Sequence, residues 1–309
     1  MALTKDVEPT ATDRRRAPVP GLAPPTRLQR ILRHGPVKVV VLLLAVLWTI
    51  PTLGMLVASF REPNAIRSSG WWTALFDPFH ASEWTFRNYS DVLDSDGLAD
   101  AFVNSLIVTI PATLIPITLA AFAAYAFAWM SFPGRSLLFI LVVALLVVPL
   151  QMALIPILRL YTSFDLNGTF VGMWLAHTGF GLPLAIYLFY GYISQLPREM
   201  LEAAYVDGAS HFQTFVRLVL PVSTPAIAAF AIFQFLWVWN DLLVALVFLG
   251  GQEDVAVLTA RLSSLVGSKG EDWHLLTAAA FVTMVVPLIV FLSLQRFFVR
   301  GLLSGSVKG

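Results

Sequence analysis

Few residues in this chain have side chains able to do chemistry where they stand. Asp241 follows Asn240 in the run LWVWNDLLVALVFLG, flanked by Trp237, Trp239 and a long aliphatic stretch. A charged group in hydrocarbon costs on the order of a few kcal/mol even on insertion scales, so Asp241 must face protein or a water-filled path. Two readings stand open: a pathway or gate residue, with Asn240 and Trp239 beside it, or interhelical hydrogen bonding that fixes packing. His177 lies in another apolar run, where a packed or hydrogen-bonded histidine is a plainer reading than a ligand. The absence of cysteine removes disulfides, thiolate catalysis and Cys-based zinc sites. No G-x-x-x-x-G-K-[ST] sequence occurs, and Gly250-Gly251 builds no phosphate cradle, so ATP binding by this chain is not expected. No catalytic residue, metal site or bound cofactor is expected.

A second segment is notable for spacing rather than reactivity. Residues 202–221 read EAAYVDGASHFQTFVRLVLP. Pro197 suits the first turn of a helix carrying Glu199, Glu202 and Ala203, with acids near its positive end. Gly208 permits a turn that a Cβ would resist. Phe212, Phe215 and Val216 recur at three-to-four spacing, predicting one apolar face on a second helix that Pro221 ends. From physics alone this is an amphipathic hairpin.

The elements that must carry these residues are apolar blocks. The chain has 309 residues, 57% hydrophobic and 13% charged, with a mean hydropathy of +0.75. Soluble domains carry about twice that share of charge. Six blocks reach spanning length, about 20 apolar residues: 38–60, 101–129, 136–158, 169–193, 222–249 and 274–298. Residues 1–36, rich in Arg and Pro, read as a disordered, uncleaved tail ahead of a first span at 37–60. A loop over 61–100 follows, then a five-helix core over 101–298 containing the hairpin 196–221, then a tail over 299–309. Trp71, Trp72 and Trp84 in the first loop suit a membrane interface. Fourteen of the 20 Lys and Arg fall on the side holding both termini, the other six on the opposite side. Basic loops resist translocation, so six spans with both termini cytoplasmic are expected, and 61–100 is extracytoplasmic. The Arg14-Arg15-Arg16 run serves orientation or contacts anionic lipid rather than nucleic acid.

The hairpin also resembles the signature loop of ABC importer permeases. Its order is Glu-Ala-Ala, three residues, Gly, nine residues, then aliphatic-x-Leu-Pro. Glu202, Ala203, Ala204, Gly208, Leu218, Leu220 and Pro221 fill it, with Asp207 beside the glycine. The family often has Ile where Leu218 stands. The resemblance covers residues 100–309, through NSLIVT at 104–109, AAYAFAWMSFPGR at 123–135, VPLQMALIPILRLY at 148–161, LPREMLEAAYVDGAS at 196–210 and WND at 239–241. All look like the carbohydrate branch, and QRFFVRGLLSGSVKG closely resembles the tail of the smaller permease of maltose-type transporters.

The resemblance implies an all-α membrane protein of type I ABC importer architecture. It implies a second permease subunit, two ATPase subunits that hold ATP and magnesium, and an extracytoplasmic sugar-binding protein. Under it the signature loop is a coupling helix seated in the ATPase, the tail reaches the ATPase dimer interface, and the last outside loop meets the binding protein. Trp237 and Trp239 would then suit stacking on a sugar ring, or equally contact with lipid. Rival readings are uptake of sn-glycerol 3-phosphate or a polyol, an ion-coupled secondary transporter, which needs more intramembrane charge than Asp241, and a membrane scaffold.

Overall fold

The computed structural model describes residues 27–78, 83–94, 97–265 and 273–306, with side chains from 35 to 295. Expectations on residues 1–26, Asp96, Lys269, Glu271, Asp272 and 307–309 lie outside the described residues. The chain divides into two compact units, through Gly54 and from Met55. Among the described residues the regular elements are helical, as expected of an all-α membrane chain, with one isolated bridge between Arg61 and Trp84.

The first helix, α1 (Arg27–Ser59), begins earlier than the sequence suggested. Residues 27–36 are helical rather than part of a tail, because Arg, Leu and Gln are strong helix formers and continue the helix behind them. From Val39 to Trp48 α1 is apolar on every face. The last helix likewise overruns its expected end. It is continuous from Trp273 to Ser306, so the segment from 299 is helix as far as it is described.

Between them lie α2 (Pro63–Ser68), α3 (Thr73–Phe76), α4 (Arg87–Asp94), α5 (Leu98–Trp129), α6 (Arg135–Leu145), α7 (Leu150–Ser163) and α8 (Phe170–Ile193). After them come α9 (Arg198–Val206), α10 (His211–Thr214), a π-helical stretch (Phe215–Val219), α11 (Leu220–Val222), α12 (Thr224–Trp239), α13 (Leu243–Phe248), α14 (Leu258–Ser264) and the closing helix, α15. Among the described residues four helices are long and apolar enough to cross a membrane, and up to six spans result if each of two bent pairs counts as one.

Two expected spans are therefore broken. The block 136–158 splits into α6 and α7, which meet at 103°. At 11 and 14 residues they extend only about 17 and 21 Å, short of the ~30 Å hydrocarbon core. Pro149 caps α7 in an extended conformation. It lacks an amide hydrogen and pushes Val148 out of helical geometry, which makes the elbow. The block 222–249 splits after Trp239, and its first half makes a 71° bend with the helical run His211–Val222.

Packing follows side-chain size, because these helices are apolar nearly all round. Ala120, Ala121 and Ala124 of α5 are buried with Ala185, Ile186 and Phe189 of α8. Small residues let two backbones approach where lipid gives no hydrophobic drive. On the far side of α12, Ala278 and Ala279 of α15 pack with Phe235 and Trp239. Gln234 of α12 joins the bundle by polar contacts. Its Nε2 donates to the carbonyls of Ala112 on α5 (3.1 Å) and His177 on α8 (3.4 Å). A Cβ at Gly181 would stand 2.5 Å from Gln234 Oε1, so a side chain there would have to displace the Gln234 amide.

The described residues of the segment 61–94 form a built platform rather than a loose loop. Arg61 is buried at 1% exposure. Its guanidinium donates to the carbonyl of Gly70 (3.0 Å), the Ser69 hydroxyl (2.7 Å) and Glu83 (3.0 Å). Asn88 of α4 donates to the carbonyls of Ser59 and Arg61, stapling the segment's end to its start. Trp72 is exposed, while Trp71 and Trp84 are half-buried. Arg61→Met removes the hub and its bonds to Gly70, Ser69 and Glu83. Each bond to a charged group is worth about 2 kcal/mol, so segment 62–86 is expected to become protease-sensitive in purified protein at temperatures where the parent resists. Unchanged cleavage would show that Arg61 does not organise the segment.

Candidate functional site

The hairpin around Gly208 is fixed at every turn. Helix α9 closes through two bonds: the Gly208 amide donates to the Tyr205 carbonyl (3.0 Å) and the Ala209 amide to that of Ala204 (2.9 Å). This six-to-one closure puts the residue after the cap in the left-handed region. Gly208 has φ +80° there. Ser210 then opens α10 with a capping box, accepting from the Gln213 amide while the Gln213 side chain accepts from the Ser210 amide.

The second half of the hairpin departs from expectation in two ways. Phe212, Phe215 and Val216 do not share a face. Phe215 and Val219 are buried, whereas Phe212 is 65% exposed and Val216 39%. Four residues separate the members of each pair, so one apolar stripe enters the core and the other stands bare. Nor does Pro221 stop the helix. The Leu220 amide reaches back to the Phe215 carbonyl in a π turn, and Pro221, which has no amide to place, follows within α11. The turn into α12 comes at Ser223.

Glu202, Ala203, Asp207, Gly208 and Pro221 are exposed, and Ala204, Leu218 and Leu220 are half-buried. Leu201 turns inward at 1% exposure and joins Phe215 and Val219 in the cluster with α5 and α8. One polar contact anchors the loop as well. The Tyr125 hydroxyl of α5 lies 3.2 Å from that of Tyr205 and 3.1 Å from His211 Nδ1, and Tyr205 lies 3.1 Å from the same nitrogen. Sequence reasoning missed this triad. Tyr205 and His211 flank the glycine turn visibly, but no spacing pairs them with a tyrosine 80 residues earlier.

The second candidate region is the break after Trp239. Asp241 Oδ2 accepts from the amides of Val244 (3.0 Å) and Ala245 (3.2 Å), capping α13. Its backbone carbonyl accepts from the Thr259 hydroxyl at 2.7 Å. Asn240 is exposed and donates back to the Leu236 carbonyl. Trp239, expected beside the pathway, instead stands at 2% exposure, stacked on Phe235 with its indole nitrogen donating to the Thr283 carbonyl. Its ring is committed to the α12–α15 contact. His177 is wholly buried, with Nε2 3.8 Å from Asp241 Oδ2 and the Trp237 ring edge-on at 5.2 Å. Neither of its ring nitrogens has a hydrogen-bond partner among the described residues, contrary to a hydrogen-bonded histidine. No group of three His, Cys, Asp or Glu able to hold a metal occurs among the described residues. The two regions offer a capped loop with one side packed and the other exposed, and a helix break that carries polar groups.

Comparison with known proteins agrees with this reading. Residues 104–304 match the family described as binding-protein-dependent transport system inner membrane component. The chain is 60% identical to the osmoprotective compounds uptake permease protein GgtD of Synechocystis sp., over 88% of this chain and 92% of that protein. It is 45% identical to the alpha-glucoside transport system permease protein AglG of Rhizobium meliloti, over 87% and 96%. A chain in the crystal structure of a bacterial alginate ABC transporter, in complex with alginate pentasaccharide-bound periplasmic protein, has the same fold. Its TM-score is 0.62 at 16% identity, over 87% of this chain and 95% of that one.

Asp241→Leu removes both cap bonds of α13 and is expected to lower stability by about 1–2 kcal/mol. Asp241→Asn keeps an acceptor and should stay near the parent in thermal unfolding in detergent. Equal melting of both variants would rule out the cap as a structural contribution.

Proposed function

The chain belongs to the family of binding-protein-dependent transport system inner membrane components, and we propose that it is one permease subunit of an ATP-driven carbohydrate importer. It is a multi-pass membrane protein with the fold of ABC importer chains. A second permease completes the pathway, two ATPase subunits bind ATP and magnesium and carry out hydrolysis, and a substrate-binding protein docks outside. With α6 and α7 taken as one crossing and α12 and α13 as another, six spans leave both termini in the cytoplasm. The fourteen-to-six division of Lys and Arg supports that orientation.

The observation that carries the reading is the hairpin 196–222. Its buried stripe, its two caps and its contact with Tyr125 make it move with α5 and α8. Its other side presents Glu202, Asp207 and Phe212 to the cytoplasm. A loop held rigidly to the bundle yet bare on its far side suits the transmission of ATPase closure to the spans. Asn240 and Asp241 stand as pathway residues, at a helix break where backbone and side-chain polar groups meet the bundle interior. Trp239 supports the break from behind.

Carbohydrate as cargo is supported by relatives named for alpha-glucoside, diacetylchitobiose and arabinooligosaccharide uptake. The relative at 60% identity, named for osmoprotective compounds, favours a second reading in which the cargo is a small neutral osmoprotective solute such as a polyol. Competition between a labelled α-glucoside and unlabelled polyols in reconstituted uptake separates the two.

Coupling is tested at the loop. A side chain with a Cβ in the left-handed region costs about 1–2 kcal/mol, so Gly208→Val should tilt or loosen the turn. Glu202→Lys reverses the exposed charge. In proteoliposomes holding the full complex, both should lower uptake per ATP hydrolysed while subunit levels stay normal. If both transport like the parent, the loop is not the coupling element.

A further inference from the structure

The segment between α13 and α14 has an exposed tip, Gly251–Asp254, and a base that turns inward to Val257 and Leu258, the latter fully buried. Three side chains grip that base. Asn104 of α5 donates through Nδ2 to the carbonyls of Asp254 and Ala256, both at 3.0 Å. The neighbouring Ser105 hydroxyl accepts from the Leu258 amide at 2.8 Å. Thr259 donates to the Asp241 carbonyl at 2.7 Å, so the last grip falls on the helix break itself. Four bonds thus bind residues 254–259, the end of the loop and the start of α14, to α5 and to the break after Trp239, and Asn104 and Ser105 are buried.

We propose that Asn104, Ser105 and Thr259 are positioning residues that hold the segment 251–259 in the geometry the substrate-binding partner requires. The proposal rests on the importer reading, which puts this segment outside. A loop of this length left free loses conformational entropy whenever a partner orders it, and a loop already ordered avoids that loss on binding. Residues 104 and 105 sit side by side on a helix, so their side chains diverge by about 100°. They therefore grip the base at two separate points, which opposes a shift of its register. Thr259 sets the base against Asp241, so a partner pressing on the tip bears directly on the α12–α13 break.

The discriminating quantity is the concentration of partner needed, not the maximal rate. The full transporter in proteoliposomes is titrated with its purified substrate-binding protein while ATP hydrolysis is followed. Ser105→Ala, Thr259→Val and Asn104→Ala each remove grip bonds without adding bulk, and Ser105→Thr keeps the hydroxyl. Each loss variant is expected to raise the half-saturating concentration by about five- to tenfold, the scale of one lost hydrogen bond. Basal and maximal hydrolysis should stay as in the parent, and Ser105→Thr should titrate like the parent. A parent-like titration of the Asn104→Ala/Ser105→Ala double variant overturns the proposal. So does loss of assembly or of basal rate in the single variants, because the contacts would then serve folding alone. A parent complex that the binding protein fails to stimulate overturns the importer reading itself, whatever the variants do.

Discussion

A backbone inside a bilayer has no water to complete its hydrogen bonds, and the helix break after Trp239 is shaped by that constraint. The break after Trp239 frees amides at the start of α13, and Asp241 meets two of them through its own side chain. It frees the Asp241 carbonyl, and Thr259 meets it from another segment. The π turn ahead of Pro221 bonds the Leu220 amide to the Phe215 carbonyl, and Pro221 follows with no amide to satisfy. Irregularity at these two places is local, and each brings its own donors or acceptors.

The same constraint explains which polar residues the bundle keeps. Gln234, Asn104, Ser105 and Thr259 direct hydrogen bonds to main-chain groups rather than to one another. A side chain that bonds to backbone specifies a helix position without needing a matched partner elsewhere in the sequence. The apolar remainder is then free to be chosen for size. Alanines fill the α5–α8 contact and aromatic residues fill the wider angles around α12.

Much of this was legible in the chain itself. The order from Glu202 to Pro221 predicts a helix, a glycine turn and a second helix, and Gly208 holds the positive φ that the turn needs. Block lengths locate α5, α8 and α15. The elbow at Pro149 was not legible, because proline inside an apolar block signals a kink and a right-angle break equally. The division at Asn240–Asp241 was hidden for a related reason: two polar residues barely lower the mean hydropathy of a long run, yet they suffice to cap a new helix. Long-range grips were beyond reach altogether. Asn104 and Ser105 stand out in an apolar sequence, but nothing in their spacing names carbonyls 150 residues away.

The triad of Tyr125, Tyr205 and His211 makes three contacts of nearly equal length. The Nδ1 position carries either one lone pair or one hydrogen, and each hydroxyl has a single hydrogen to give. Two of the three edges can therefore be bonded at once, and the third stays empty whichever tautomer is present. The vacant edge can migrate around the triangle with no change in the number of bonds. Such a joint keeps two bonds between α9, α10 and α5 whichever nitrogen of His211 carries the proton, so the hairpin's attachment does not depend on the tautomer.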